Sequence, residues 1–173
     1  MATRVDAFSK IVFAAMLAFI AYAVGRTVWS ADVAAKSGDC MNNMKEISEA
    51  VFLYSQDWDQ CFPPADKWEH VTSKFIAKGK IGEVFRCPSS SSSYGYAMNR
   101  NLGCFIFTRS PLSQPSEIIL LFESDASVLD AFGDAQQLAT NRHLDRPNFV
   151  FADGHAFAAP GKAITDFQWK RRR

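Results

Sequence analysis

Apolar and polar positions along this chain change their rhythm twice. Ile11 to Val24 is a run of fourteen residues without a charge, preceded by Arg4 and Lys10 and followed by Arg26. Counted outward to Phe8 and Trp29, it is roughly long enough for a helix to cross a bilayer, which takes about 20 residues. Lys10 and Arg26 can lay their stems along the apolar surface and reach the interfaces, and Trp29 falls in the interfacial aromatic belt. Beyond the run, Trp29, Val33, Cys40, Met44, Ile47, Val51, Tyr54 and Trp58 recur at steps of three, four or seven, which is one stripe of a long helix. Gly25 and the Ser37-Gly38 pair interrupt this stripe at places where the helix can bend or melt. Pro63-Pro64 closes it, because a proline ring cannot continue a helix and restricts the residue ahead.

A second, short helix is predicted after Asp66, which stands as N-cap with Glu69 three residues on. Trp68, Val71 and Phe75 share one face of it, and Gly79 ends it. Ser89 to Ser93 reads as a surface loop between Pro88 and Tyr94-Gly95-Tyr96. The period then becomes that of strands. Cys104 to Thr108 and Ile118 to Glu123 are apolar runs bounded by proline, serine and aspartate. Asn148 to Ala152 and His155 to Ala158 flank Asp153-Gly154, the dipeptide favoured in a two-residue type I′ hairpin. The predicted fold class is α+β: a long N-terminal, transmembrane helix continuing into a helix packed on a small antiparallel β-sheet. The organisation that follows is an anchor or stem over residues 1–29, a globular head over 30–168 that includes the second half of the long helix, and a basic tail over 169–173.

Composition narrows the possible roles. The 173 residues, 48% hydrophobic, suffice for one ordinary domain and an anchor. Lysine and arginine total 19 against 18 acidic residues, so no overall charge draws the chain to nucleic acid. Arg4 and Lys10 on one side of the apolar run are matched by Arg26 and Lys36 on the other, which leaves its orientation open. A basic start, a short apolar core and Ala21-Tyr22-Ala23 also satisfy the pattern of a cleaved signal peptide. Either way the remainder of the chain is exported.

Four cysteines in an exported chain point to disulfides. Cys40 to Cys61 is disfavoured, because a mostly helical stretch separates their ends by roughly 25 Å. The preferred set is Cys40 with Cys87 and Cys61 with Cys104, with free thiols as the other reading. No C-x2-C pair supports a zinc site.

Three local patterns carry a resemblance. They are Cys40-Met-Asn-Asn-Met-Lys45 running on through Tyr54-Ser-Gln-Asp-Trp-Asp-Gln-Cys-Phe-Pro-Pro64; Phe85-Arg-Cys-Pro-Ser89 with Tyr94-Gly-Tyr96; and His143, nine intervening residues, then Asp153-Gly154-His155. In this order they resemble the type IV pilin and type II secretion pseudopilin superfamily, in particular prepilin-type proteins with an H-x9-DG C-terminal domain. The resemblance implies a hydrophobic stem held in the inner (cytoplasmic) membrane or in a filament core. The head would face the periplasm or the cell exterior, and the partners would be the membrane and other pilin-like subunits or copies of the chain. Prepilins resemble one another in a leader ending in glycine and in a glutamate at the fifth mature position. Asp6-Ala-Phe-Ser-Lys-Ile-Val-Phe13 has neither, so a membrane-resident relative or minor component is expected about as much as a filament subunit.

The expected function is therefore assembly, without catalysis. Its rival is an exported module, released after Ala23, that binds calcium or another ligand. The resemblance implies calcium as the cofactor to consider, because pseudopilins bind it in a C-terminal loop through oxygen ligands. Glu123, Asp125, Asp130 and Asp134 around Gly133 are the candidates, although the EF-hand spacing is absent. His143, Asp153 and His155 could form a metal or acid–base cluster. The plainer role is structural, with Asp153 and Gly154 making the turn and His143 tying its loop to the hairpin. A thiol enzyme built from Cys61 or Cys87 with His70 or His143 lacks an orienting third residue.

Overall fold

The structure, a computed structural model, describes residues 2–90, 94–106, 112–126, 128–160 and 169, with side chains from Phe8 onward. The first element, α1 (Ala2–Asp57), is a single helix. The helical assignment runs through Gly25 and Gly38; a Cβ at either would meet nothing within 4 Å, so neither glycine is required by close packing. It ends earlier than Pro63, at Asp59 and Gln60, whose left-handed backbones (φ 51° and 58°) turn the chain so that the Gln60 amide bonds the Ser55 carbonyl at 2.8 Å.

The chain divides into two compact units, one up to Ala35 and one from Lys36. In the first, Phe8, Ile11, Phe13, Leu17, Phe19, Ile20 and Trp29 are all exposed. This stretch is long and apolar enough to cross a membrane, and none of its most apolar window is buried within the chain. The same properties suit an anchor or a signal segment.

The second unit is an α+β head. Short helices α2 (Trp68–Thr72) and α3 (Ile81–Val84) precede the strands β1 (Tyr96–Asn99), β2 (Ile119–Glu123), β3 (Phe132–Gly133), β4 (Asn148–Phe151) and β5 (Ala156–Ala158). The sheet order is β3-β1-β2-β4-β5, with β1 and β3 parallel and every other pair antiparallel. Cys40, Met44, Ile47 and Val51, spaced three or four apart on α1, pack with Trp68, Tyr96, Leu120 and Val150 in one core. Ile119, Phe122, Phe149 and Phe151 face the other way, into a second core with Ala131, Leu138 and Ala159. An irregularity in register between Ile119 and Leu121 allows both Leu120 and Leu121 to join the helix-side core. Both sheet faces are thus covered, and β1 and β2 are buried at every position.

Several local expectations are corrected. Lys67, not Asp66, stands at the N-cap of α2, without a side-chain bond. Trp68, fully buried, draws the helix inward, and its Nε1–H donates to the Ala131 carbonyl at 2.7 Å. No strand begins at Cys104, which is left-handed (φ 56°); only an isolated bridge joins Ile106 to Cys61, and residues 107–111 lie outside the described ones. Residues 91–93 of the serine run and the basic residues 170–173 also lie outside them.

The hairpin of β4 and β5 is real, but its turn is not type I′. Only Gly154 has positive φ (91°), and the Gly154 amide bonds the Phe151 carbonyl at 2.9 Å. This is a three-residue loop, a type I turn followed by a left-handed glycine. A Cβ on Gly154 would stand 3.2 Å from Phe52 Cε2 on α1. Gly154→Ala is therefore expected to destabilise the head by about 1–2 kcal/mol, from a left-handed alanine and a tight contact together. Urea unfolding followed by tryptophan fluorescence will measure it.

Candidate functional site

One residue from each of the three patterns, Cys40, Cys87 and His143, meets the others at one place inside the head. Cys40 on α1 forms a disulfide with Cys87, their Cα atoms 5.2 Å apart, a separation usual for the bond. Gly95 makes room for it: a Cβ there would lie 2.7 Å from both Cβ and the amide nitrogen of Cys87. The buried Tyr96 hydroxyl reaches the carbonyls of Cys40 and Arg86, each at 3.5 Å, on either side of the bond. Its pKa is pushed up, chiefly by burial, so it remains a donor.

Against the disulfide stands a buried carboxyl–imidazole pair. Glu123, the last residue of β2, is fully buried, and its Oε1 lies 2.8 Å from Nε2 of His143. The same oxygen accepts from Asn148 Nδ2 at 3.0 Å, and Oε2 accepts from the Asn148 amide at 3.1 Å. A buried carboxylate survives only when so provided with donors. Nδ1 of His143 faces the Ser89 hydroxyl at 3.4 Å. Cys87 Sγ lies 3.7 Å from His143 Nε2 and 3.9 Å from Glu123 Oε1. Asn148 also donates to the Ser37 carbonyl of α1 at 3.2 Å. Helix, cysteine loop, sheet and histidine turn are joined through these few atoms.

The histidine turn is held under load. His143, Leu144 and Asp145 are consecutive left-handed residues (φ 51°, 59° and 60°), a conformation that costs roughly 1–2 kcal/mol per residue. Arg142 anchors the turn: it donates to the carbonyls of Gly95 (2.8 Å) and Ser124 (2.7 Å), to Asp125 (2.7 Å) and to the Ser90 hydroxyl (3.2 Å). Residues at the start of the serine run thus have partners, where a plain surface loop was expected. His143 ties its loop to β2, not to the hairpin. Asp153 and His155 meet each other at the exposed turn (Oδ1 to Nδ1, 2.6 Å), with the His155 ring stacked on Phe151. The three residues His143, Asp153 and His155 therefore do not come together as a metal or acid–base cluster.

The calcium set is not formed either. Glu123 is used by His143 and Asn148, and Asp125 by Arg142. Asp130 accepts from the His70 amide at 3.0 Å. Asp134 caps the helical turn that follows it, in a capping box with Gln137, and lies 3.7 Å from Arg100 Nε. Each carboxylate is thus taken by different partners. Among the described residues, the only group of metal-ligand type is Cys40, Cys87, Glu123 and His143, whose ligand atoms lie within 4.8 Å of one another.

The expected bond between Cys61 and Cys104 is absent, and both are thiols. In the bridge between their segments the residue opposite Cys61 is Ile106, two positions beyond Cys104. Burial, then the neighbouring Cys104, pushes the Cys61 thiol up, so it is a weak nucleophile.

Sequence reasoning missed a second feature. Glu69 of α2 is 1% exposed, and among the described residues no group meets either carboxyl oxygen in good hydrogen-bond geometry, the Asp130 backbone giving only a weak compensation. Burial, and next the charge of Asp130, pushes its pKa up to about 8. It lines a cavity of about 340 Å³ with His70, Phe85, Arg86, Tyr94 and Leu129. Comparison of the chain with family models, with curated proteins and with solved structures returns no match.

Proposed function

We propose that this chain is a non-enzymatic, pilin-like assembly protein. The first half of α1 anchors it in a membrane, and it works through contacts of that stem with other pilin-like subunits or with copies of itself. It would serve as a filament subunit or minor component of a secretion or pilus system, with its head on the exported side. One observation carries the reading: the helix that supplies the head's core through Cys40, Met44, Ile47 and Val51 also bears, from Phe8 to Trp29, an apolar surface not buried by its own chain. Lipid and a neighbouring stem are equally apolar, so one can replace the other, and close packing then decides the partner. Ala14 with Ala18 and Ala21 with Gly25, each four apart, are the small residues that let helices approach. The Cys40–Cys87 bond supports an exported head.

Two measurements test this. The protein should remain in washed membranes with Met1 to Ala23 retained in its intact mass. Single cysteines at Phe13 or Ile20, in a background lacking Cys61 and Cys104, should yield stem-to-stem multimers on oxidation in the membrane. Release on gentle lysis with loss of Met1 to Ala23 would replace the reading by an exported binding module. Retention with monomers only would leave an anchor and sink the assembly role.

A further inference from the structure

The geometry points to a second state of the buried cluster: with the disulfide open, Cys40, Cys87, Glu123 and His143 form a four-ligand zinc site, and the metal and the disulfide exclude each other. This inference does not rest on the assembly role.

The donor set is two sulfurs, an imidazole nitrogen and a carboxylate oxygen, the ligands zinc prefers in tetrahedral sites. With zinc bonds of about 2.3 Å to sulfur and about 2.0–2.2 Å to nitrogen or oxygen, the tetrahedron's edges are about 3.4–3.8 Å. Cys87 Sγ already stands 3.7 Å from His143 Nε2 and 3.9 Å from Glu123 Oε1, and all four donors lie within 4.8 Å of one another. Nε2 and Oε1, now 2.8 Å apart and hydrogen-bonded, need only separate by about 0.6 Å to reach the length of such an edge. Cys40 and Cys87, once unbonded, would separate to about 3.8 Å.

The surroundings suit a metal as well as the pair. Zinc-bound histidine and carboxylate need outer partners that orient them. His143 Nδ1 faces the Ser89 hydroxyl, and Asn148 holds Glu123 through both its amide and its side chain. Cys40, Cys87 and Glu123 are fully buried and His143 is 7% exposed, so two thiolates, an imidazole and a carboxylate would be closed off from water, as in structural zinc sites.

The chemistry balances in two steps. A dithiol reductant passes two electrons and two protons to the S–S bond and leaves as its own disulfide, so Cys40 and Cys87 become thiols. A chain not yet oxidised holds those thiols without any reductant. Zn²⁺ then binds both sulfurs as thiolates and displaces their protons and the one shared by His143 and Glu123.

The test uses the full chain in detergent micelles. It is unfolded, reduced with a phosphine, and refolded without oxygen in the presence of Co²⁺ or Zn²⁺. One Co²⁺ per chain is expected, with a thiolate-to-cobalt charge-transfer band and the intense visible bands of a tetrahedral ion, displaced by Zn²⁺. The oxidised protein should show neither. His143→Ala and Glu123→Gln should lose the tetrahedral spectrum, and Asn148→Ala should weaken binding by about 10–100-fold. Native mass spectrometry of the reduced wild type should show one retained Zn²⁺. A reduced, folded protein without the cobalt bands overturns the proposal. So does a His143→Ala variant that keeps them, or a reduced chain that neither folds nor takes up metal, because a site of these ligands supplies folding energy.

Discussion

Replacing Cys40 and Cys87 together by alanine should lower the stability of the head by about 4 kcal/mol, the loop-closure contribution for cysteines 47 positions apart. Domains of this size are stable by only about 5–15 kcal/mol, so the variant should be close to unfolding under growth conditions. The load on the neighbouring turn adds to this. His143, Leu144 and Asp145 stay left-handed because Arg142 and His143 are bound on the inside, and the bond at Cys87 helps to keep that inside closed. Urea titration of the full chain in micelles, followed by tryptophan fluorescence, will measure the loss. A midpoint unchanged from that of the oxidised wild type would mean that the bond only decorates an already rigid core.

A second large effect is expected from pH, through Glu69. Its carboxyl is buried beside the charge of Asp130, with only the Asp130 backbone to offset this, and its pKa rises from 4.5 to about 8. The folded state therefore holds a proton that the unfolded state releases. The stability that Glu69 contributes is fully present below about pH 4.5 and is lost as pH rises towards 8, because there the native state binds more protons than the unfolded one. The loss expected across that window is on the order of 2–4 kcal/mol. Glu69→Gln keeps the shape and removes the ionisation, so its unfolding midpoint should hardly move between about pH 5 and pH 8.5 where the wild type's falls. Parallel pH dependences in the two proteins would show that the site relaxes or admits water when Glu69 ionises.

The parts of the fold that could be read from the sequence are those with a clean period. The stripe from Cys40 to Val51, the run ending at Glu123 and the two strands around Asp153-Gly154 all lie where the pattern puts them. β1 escaped because Tyr96-Ala-Met-Asn99 is buried at every position and so has no alternation. β3 is two residues held by a parallel neighbour, which local sequence does not encode. The turn after Ala152 was placed correctly and typed wrongly, since Asp153-Gly154 fits both a two-residue and a three-residue loop. At the site, helix geometry disfavours only Cys40 with Cys61; of the preferred set, the Cys40–Cys87 bond is present and the Cys61–Cys104 bond is not. The partnership of His143 with Glu123 was not legible, because the two belong to different strand-and-turn segments 20 residues apart. One signal was present: a lone carboxylate ending five apolar residues, Ile118 to Phe122, needs a partner inside. It was assigned instead to the acidic stretch that follows.

The bond between Cys40 and Cys87 also orders events in time. Synthesis runs from the N terminus, so Cys87 is made 36 residues before Glu123 and 56 before His143. An oxidant meeting the emerging chain can find both sulfurs before β2 and the histidine turn have folded against them. Fast oxidation therefore captures the thiols before any other ligand can compete for them, and slow oxidation leaves them waiting. On the proposed zinc site, the form of the head that accumulates would then be set by a race between thiol oxidation and the folding of the last third of the polypeptide.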